Sequence, residues 1–154
     1  LVASRAVKKE YDAMCIGTFS ERKGVITDDV VQHGERKRAV TEYTVNEVFE
    51  IDCGGEKLSL SLVHLTLETG RMHQIRIHLA KKGCPIAFDD KHGNFAKNKL
   101  LKKYCSGKRL LLCASQLSFP LSGKEKTVRI ELPESFGAIL NDIAPSYPIS
   151  IIKN

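Results

Sequence analysis

Apolar and polar positions alternate from Tyr11 to Gly17, with Tyr11, Ala13 and Cys15 set against Asp12, Met14 and Ile16, which predicts a strand. Gly17 to Arg38 is polar and loop-like, with a short strand at Val25–Thr27. Ala39 to Ile51 is rich in β-branched and aromatic residues and predicts a long strand, with Thr41, Tyr43, Val45, Phe49 and Ile51 on one face. Cys53-Gly54-Gly55-Glu56 reads as a turn and Lys57 to Leu67 as the returning strand of a hairpin. The apolar phase of that second strand slips at Leu62-Val63, the mark of a bulge. The period then changes to 3.6. Met72, Ile75 and Leu79 share one side, so Met72 to Lys82 predicts a short amphipathic helix, ended by Gly83 and barred from resuming by Pro85. Further on come a second helical piece at Asn98–Tyr104, an apolar strand at Arg109–Phe119 and an alternating strand at Thr127–Leu132 with Val128, Ile130 and Leu132 on one face. Pro133 to Ile143 predicts a closing helix with Phe136, Ile139 and Leu140 inward, weakened by Gly137, and the tail beyond Pro145 an edge strand or a wrap. The pattern is that of one α+β domain over residues 1–154: a mixed, mostly antiparallel sheet with packed helices.

Composition narrows the functional classes. A 154-residue chain that is 42% hydrophobic has enough apolar surface for one real core. No run nears the roughly 20 apolar residues of a membrane span, so no membrane partner is expected. The five cysteines, Cys15, Cys53, Cys84, Cys105 and Cys113, are odd in number and irregularly spaced without a C-x-x-C, which predicts reduced thiols in a cytoplasmic protein rather than a zinc ribbon or disulfide scaffold. The net charge of +6 is unevenly spread. Thr69–Phe88 holds Arg71, Arg76, Lys81 and Lys82 without an acid, and Ala96–Arg109 holds Lys97, Lys99, Lys102, Lys103, Lys108 and Arg109 without one. Two such stretches in one small domain point to a phosphate backbone.

The chemistry concentrates in Thr69–Gly93, which reads T-G-R-M-H-Q-I-R-I-H-L-A-K-K-G-C-P-I-A-F-D-D-K-H-G. A glycine turn precedes a helix with Arg71 and His73 near its start, where backbone N–H groups favour anions. Five positions on, Arg76 is rotated about 140° from Arg71, so the two cannot serve one ligand atom alike. An arginine on a helix packed over a sheet needs a carboxylate or phosphate partner or must snorkel, and spacing alone favours a surface ion pair. Asp89-Asp90 has the look of a carboxylate pair, but adjacent residues diverge, and a structural turn is the expectation. His64, His73, His78 and His92 do not form metal-ligand spacing with Cys84, so no metal is expected; Gly54-Gly55-Glu56-Lys57 lacks the phosphate-loop pattern.

The run T-G-R-x-H-Q-I-R-x-H-L, followed by G-x-P-I and D-x-x-x-G, resembles the signature of the RluA-type pseudouridine synthases, and I-A-F-D-D is closest to the branch acting on large-subunit ribosomal RNA. K-K-E-Y-D-A-M-C-I-G, A-V-T-E-Y-T-V and R-L-L-L-C-A-S-Q-L-S-F resemble further family segments in the family's order, over about Lys8 to Pro133. The resemblance implies an RNA-modifying isomerase that breaks the N1–C1′ bond of uridine and rejoins the ring through C5, without cofactor or metal. It also implies an essential aspartate on an H-R-L-D-x-x-T-S-G motif, which this sequence does not contain. The expectation is therefore the C-terminal portion of a catalytic domain, inactive alone, with the N-terminal part of the fold absent. Arg76, following Ile75, resembles the basic residue that pairs with that aspartate. Tyr11 resembles the aromatic that stacks on the target base, so Tyr11, Ile75 and Arg76 make the expected catalytic set. Arg71, His73, Lys81, Lys82, Lys102 and Lys103 are expected to contact RNA, most simply ribosomal RNA. The sequence departs from the family at Cys113, where histidine is usual, and at Met72, where threonine or serine is common. A noncatalytic RNA-binding module on the same scaffold is the alternative.

Overall fold

The computed structural model describes residues 8–71, 73–105, 109–121 and 123–129. Among them, strands β1 (Lys8–Ile16), β2 (Lys23–Ile26), β5 (Thr41–Cys53), β6 (Glu56–Leu67), β7 (Leu112–Leu121) and β8 (Lys124–Arg129) form one sheet in the order β2-β5-β6-β1-β7-β8. Every pairing in it is antiparallel. Helices α1 (Gln74–Lys81) and α2 (Phe95–Tyr104) follow β6. A separate two-stranded ribbon, β3 (Val30–Gln32) with β4 (Glu35–Lys37), lies inside the segment expected to be loop. Its strands are three residues each and mostly polar, too short for alternation to register. The predicted closing helix Pro133–Ile143, the tail beyond Pro145 and the residues Ile130 and Leu132 of the predicted last strand lie outside the described residues, as does Met72.

The β5–β6 hairpin forms as predicted, but with its irregularity on the other strand. Val45 pairs with Val63 and Glu47 with Leu62, so Asn46 is the extra residue and the bulge belongs to β5. Paired residues share a face. Tyr43 and Val45 therefore lie with Leu65 and Val63 on one face, and Phe49 and Ile51 with Leu60 and Leu58 on the other. The single-face set expected for β5 is thereby divided. β6 itself runs regularly: Leu58, Leu60 and Leu62 are buried on one side, and Val63, Leu65 and Leu67 on the other. The apparent phase slip is thus the signature of a strand covered on both faces.

Helix α1 begins two residues later than the pattern predicts, because His73 takes a left-handed conformation (φ 54°) at its N-cap. It ends as expected: Gly83 (φ 85°) donates its N–H to the Ala80 carbonyl and Cys84 to that of Leu79. Ile75 and Leu79 are buried in the core. Leu79→Ala, at a fully buried position, is expected to lower stability by about 2–5 kcal/mol, read as a shift of the urea midpoint at unchanged slope. Helix α2 begins three residues before the predicted Asn98, because Asn94 Oδ1 accepts the Lys97 N–H at 3.0 Å and caps it there. Cys15, Cys53, Cys84 and Cys113 are free thiols.

Candidate functional site

The turn between β6 and α1 is tied down by one amide. Gln74 is buried, and its Oε1 accepts from the Thr69 hydroxyl (2.6 Å) and the Arg71 N–H (3.0 Å). Its Nε2 donates to the Val40 carbonyl and to Thr41 Oγ1, both at 2.9 Å. One turn on, the fully buried His78 contacts Thr41 Oγ1 through Nδ1 (2.8 Å) and donates from Nε2 to the Asp28 carbonyl (2.7 Å). These bonds place α1 over the face of the sheet that carries Thr41, Tyr43 and Val45. Sequence reasoning assigned no role to Gln74 or His78. The only signal was their place in H-Q-I-R-I-H, one helical turn apart.

Arg76 has its partner within the chain. Its Nε donates to Asp89 Oδ2 (3.0 Å) and its Nη2 to Asp89 Oδ1 (2.7 Å), a bidentate pair, and Nη2 lies 3.6 Å from Asp90 Oδ1. The side chains of Arg76 and Asp89 are 16% and 0% exposed, so the surface ion pair that spacing favoured is instead a sheltered one. Asp90, 98% exposed, diverges from its neighbour as adjacency requires. The Asp89 turn is structural, as expected, and it also serves Arg76. After α1 the chain enters the sheet beside β1: the Ile16 N–H donates to Pro85, the Ala87 N–H to Met14 and the Leu111 N–H to Ala87. Asp89 follows directly and closes a turn on itself, its Oδ1 accepting the N–H groups of Lys91 (3.0 Å) and His92 (2.9 Å). Asn98 of α2 locks the turn from behind, donating to the Asp89 carbonyl and accepting the Phe88 N–H. Gly93 packs so close to the Asp89 carbonyl oxygen that any side chain there would collide with it. Burial alone would raise the Asp89 carboxyl, but the guanidinium and the two backbone amides outweigh it and hold the group at about 2.

Beside this pair His73 Nδ1 and His92 Nε2 approach to 3.3 Å with their rings edge to face. Burial, then the charge of Arg76 and the neighbouring His73, hold the His92 imidazole below its ordinary value despite Asp89. Arg71 sends Nε to the Arg38 carbonyl (2.7 Å) and lines a groove of about 730 Å³ with Lys8, Lys9 and Arg38, partly offset by Glu42 and Glu68.

Of the expected catalytic set, Ile75 is core and anchors the turn that presents Arg76. Tyr11 is half-buried on β1 between Leu65 and Ala114, on the face over which α1 lies. The β1–β7 register slips beside it, leaving Ser115 as an extra residue. The expected RNA contacts do not form one patch. Arg71 and His73 flank the start of α1. Lys81 and Lys82 sit at its far end, Lys81 at 3.9 Å from Asp28 and Lys82 over the Tyr43 ring at 5.7 Å. Lys102 and Lys103 are exposed on the last turn of α2. At Cys113, where histidine is usual in the family, burial and the Asp12 charge push the thiol up to about 12. No group of three or more metal-ligating side chains occurs among the described residues, nor any helix long and apolar enough to cross a membrane.

The antiparallel sheet with α1 laid over one face by Gln74 and His78 defines the class: an α+β domain whose turn from β6 into α1 is tied down by the buried Gln74. A family model described as RNA pseudouridylate synthase matches residues 1–81, more than half of the chain. The chain belongs to the RNA pseudouridylate synthase family. It is 31% identical over 150 residues to the ribosomal large subunit pseudouridine synthase D of Blochmanniella floridana, covering 84% of this chain and 44% of that protein. With the ribosomal large subunit pseudouridine synthase C of Escherichia coli K12 it shares 32% over 146 residues, covering 86% and 43%. The chain thus spans less than half the length of these relatives. Two human structures, RNA pseudouridylate synthase domain containing 1 and 4, share the fold at TM-score 0.66 and 23% identity, covering 87% and 90% of this chain and 59% and 63% of theirs.

Proposed function

We propose that this chain forms part of an enzyme that isomerises uridines of ribosomal RNA to pseudouridine, and that Arg76 is its central contribution to the active site. The observation that supports this reading is the side-on geometry of Arg76. Asp89 engages Nε and Nη2, which leaves Nη1 outside these contacts. A guanidinium held rigidly along one edge offers its remaining donors to a second carboxylate in a fixed direction. That second carboxylate is the aspartate of the family's H-R-L-D motif, carried on polypeptide outside these 154 residues. Paired with Arg76 it stays ionised and aimed at the nucleotide. Tyr11, from the same side of the sheet, stacks on the extracted base. The groove formed by Arg71, Arg38, Lys8 and Lys9 holds backbone phosphates. Division of labour follows: α1 contributes electrostatics, β1 the platform, and an upstream segment the nucleophile.

The test compares two preparations on ribosomal RNA transcripts, with pseudouridine mapped chemically. The 154-residue chain alone is expected to leave every uridine unchanged, while the protein that joins it to an H-R-L-D segment converts a defined uridine. Turnover by the chain alone would refute the absent-nucleophile reading. Tight RNA binding by the joined protein with no conversion would assign it instead to the noncatalytic module.

A further inference from the structure

Helix α2 carries a surface that the proposed reaction does not use. Buried Asn98 and Leu101 fix its orientation, and Phe95, Lys99, Lys102 and Lys103 are all exposed, in an arc beginning beside Asn98. The spacing i, i+4, i+7 and i+8 makes them one stripe, about 12 Å long at the helical rise. No acidic residue occurs between Ala96 and Arg109, and none of the three lysines is in an ion pair with a described residue. Phe95, at the first helical position, is 61% exposed although its backbone is fixed by the Asn94 cap. An exposed aromatic ring at the head of a row of lysines without an ion pair among the described residues is costly to leave bare and matches two features of one partner. Resting on the reading that the substrate is RNA, we propose that the α2 face binds RNA at an unpaired nucleotide away from the modified uridine, with Phe95 stacked on the base and Lys99, Lys102 and Lys103 on the flanking phosphates.

Charge complementarity favours RNA over the other occupants. A bilayer-surface helix needs a broad apolar face, and this ten-residue helix exposes one apolar ring on that side. A protein partner would have to supply carboxylates to three exposed lysines around a single aromatic. A polynucleotide supplies both phosphates and a π-face in every residue.

The test measures binding of the full chain to two fluorescein-labelled blunt-ended RNA duplexes, one fully paired and one with a single bulged adenine, and to vesicles containing phosphatidylserine. Phe95→Ala is expected to weaken binding to the bulged duplex about tenfold, leave the paired duplex unchanged, and be rescued by Phe95→Tyr. Lys99→Ala with Lys102→Ala is expected to weaken both duplexes alike and to lower the slope of log affinity against log salt by about 2. Equal binding of the bulged duplex by wild type and Phe95→Ala overturns the inference while leaving the RNA reading intact. Failure of wild type to bind either duplex removes both. Binding to vesicles that depends on Phe95, without discrimination between duplexes, assigns the face to a lipid surface and also overturns it.

Discussion

Arg76→Met, made in the enzyme that joins this chain to its aspartate-bearing segment, is expected to reduce single-turnover pseudouridine formation on the order of 10³-fold. RNA affinity should stay within about twofold, because it rests on many phosphate contacts elsewhere. Methionine keeps most of the side chain's volume and loses the charge. The nucleophilic carboxylate is then less stabilised as an anion and poorly aimed, and its pKa rises. The expected signature is a fall in the saturating rate with the binding curve in place. Arg76→Lys sharpens the experiment. It keeps the positive charge beside Asp89, and with it most of the fold's stability, but lacks the planar fork that engages two carboxylates at once. A large loss of rate in a well-folded Lys variant identifies geometry, not net charge, as the contribution. Lys102→Ala with Lys103→Ala should do the reverse, weakening binding and flattening its salt dependence while single-turnover chemistry at saturation stays near normal. Normal turnover of Arg76→Met at saturation would leave the residue as a structural ion pair and remove it from the active site.

The elements that a local period encodes were legible in the sequence. Ile75 and Leu79 four residues apart marked the buried side of α1, and the Gly-Gly turn at 54–55 marked the β5–β6 hairpin. Three things were not legible, each for a physical reason. The β3–β4 ribbon is too short and polar to show alternation. The bulge at Asn46 was masked because Val45, Phe49 and Ile51 keep one odd-numbered phase, interrupted only by Glu47, although the extra residue sends Phe49 and Ile51 to the face opposite Val45; the slip at Leu62-Val63 comes instead from a strand covered on both faces. The partner of Arg76 lies 13 residues away across a helix end and a stretch of sheet, a distance no periodicity spans. Asp89 was visible, but was weighed only as half of a carboxylate pair with Asp90. The better signal lay in the residues around it. Gly93 four positions on and Asn98 further along are what an aspartate needs to close a turn on its own backbone and still present both oxygens to Arg76.

Asp89→Asn tests that turn and couples stability to the site. The substitution is expected to destabilise the chain by about 3 kcal/mol, since it leaves the sheltered Arg76 charge with only the exposed Asp90 carboxylate at 3.6 Å as counter-ion. The amide can keep the Lys91 and His92 N–H bonds through Oδ1, but its NH2 then faces the Arg76 Nε, donor against donor. Its dependence on pH follows from the direction of the shift. In the folded chain the Asp89 carboxyl titrates at about 2, below the ordinary value near 4. The folded state therefore favours the ionised form, and that stabilisation is fully present above about pH 4. It is lost as pH falls from about 4 to about 2, when the unfolded chain takes up the proton first. Unfolding free energies of the wild-type chain from urea titrations should fall across that window by on the order of 2 kcal/mol more than those of Asp89→Asn, which has no proton to bind there. The double variant Asp89→Asn with Arg76→Met should be less destabilised than the two single changes sum to, because the second removes the stranded charge that the first created. Additive losses, or parallel acid limbs for wild type and Asp89→Asn, would show that the bidentate pair contributes nothing to the fold and does not hold Arg76 in place for a second carboxylate.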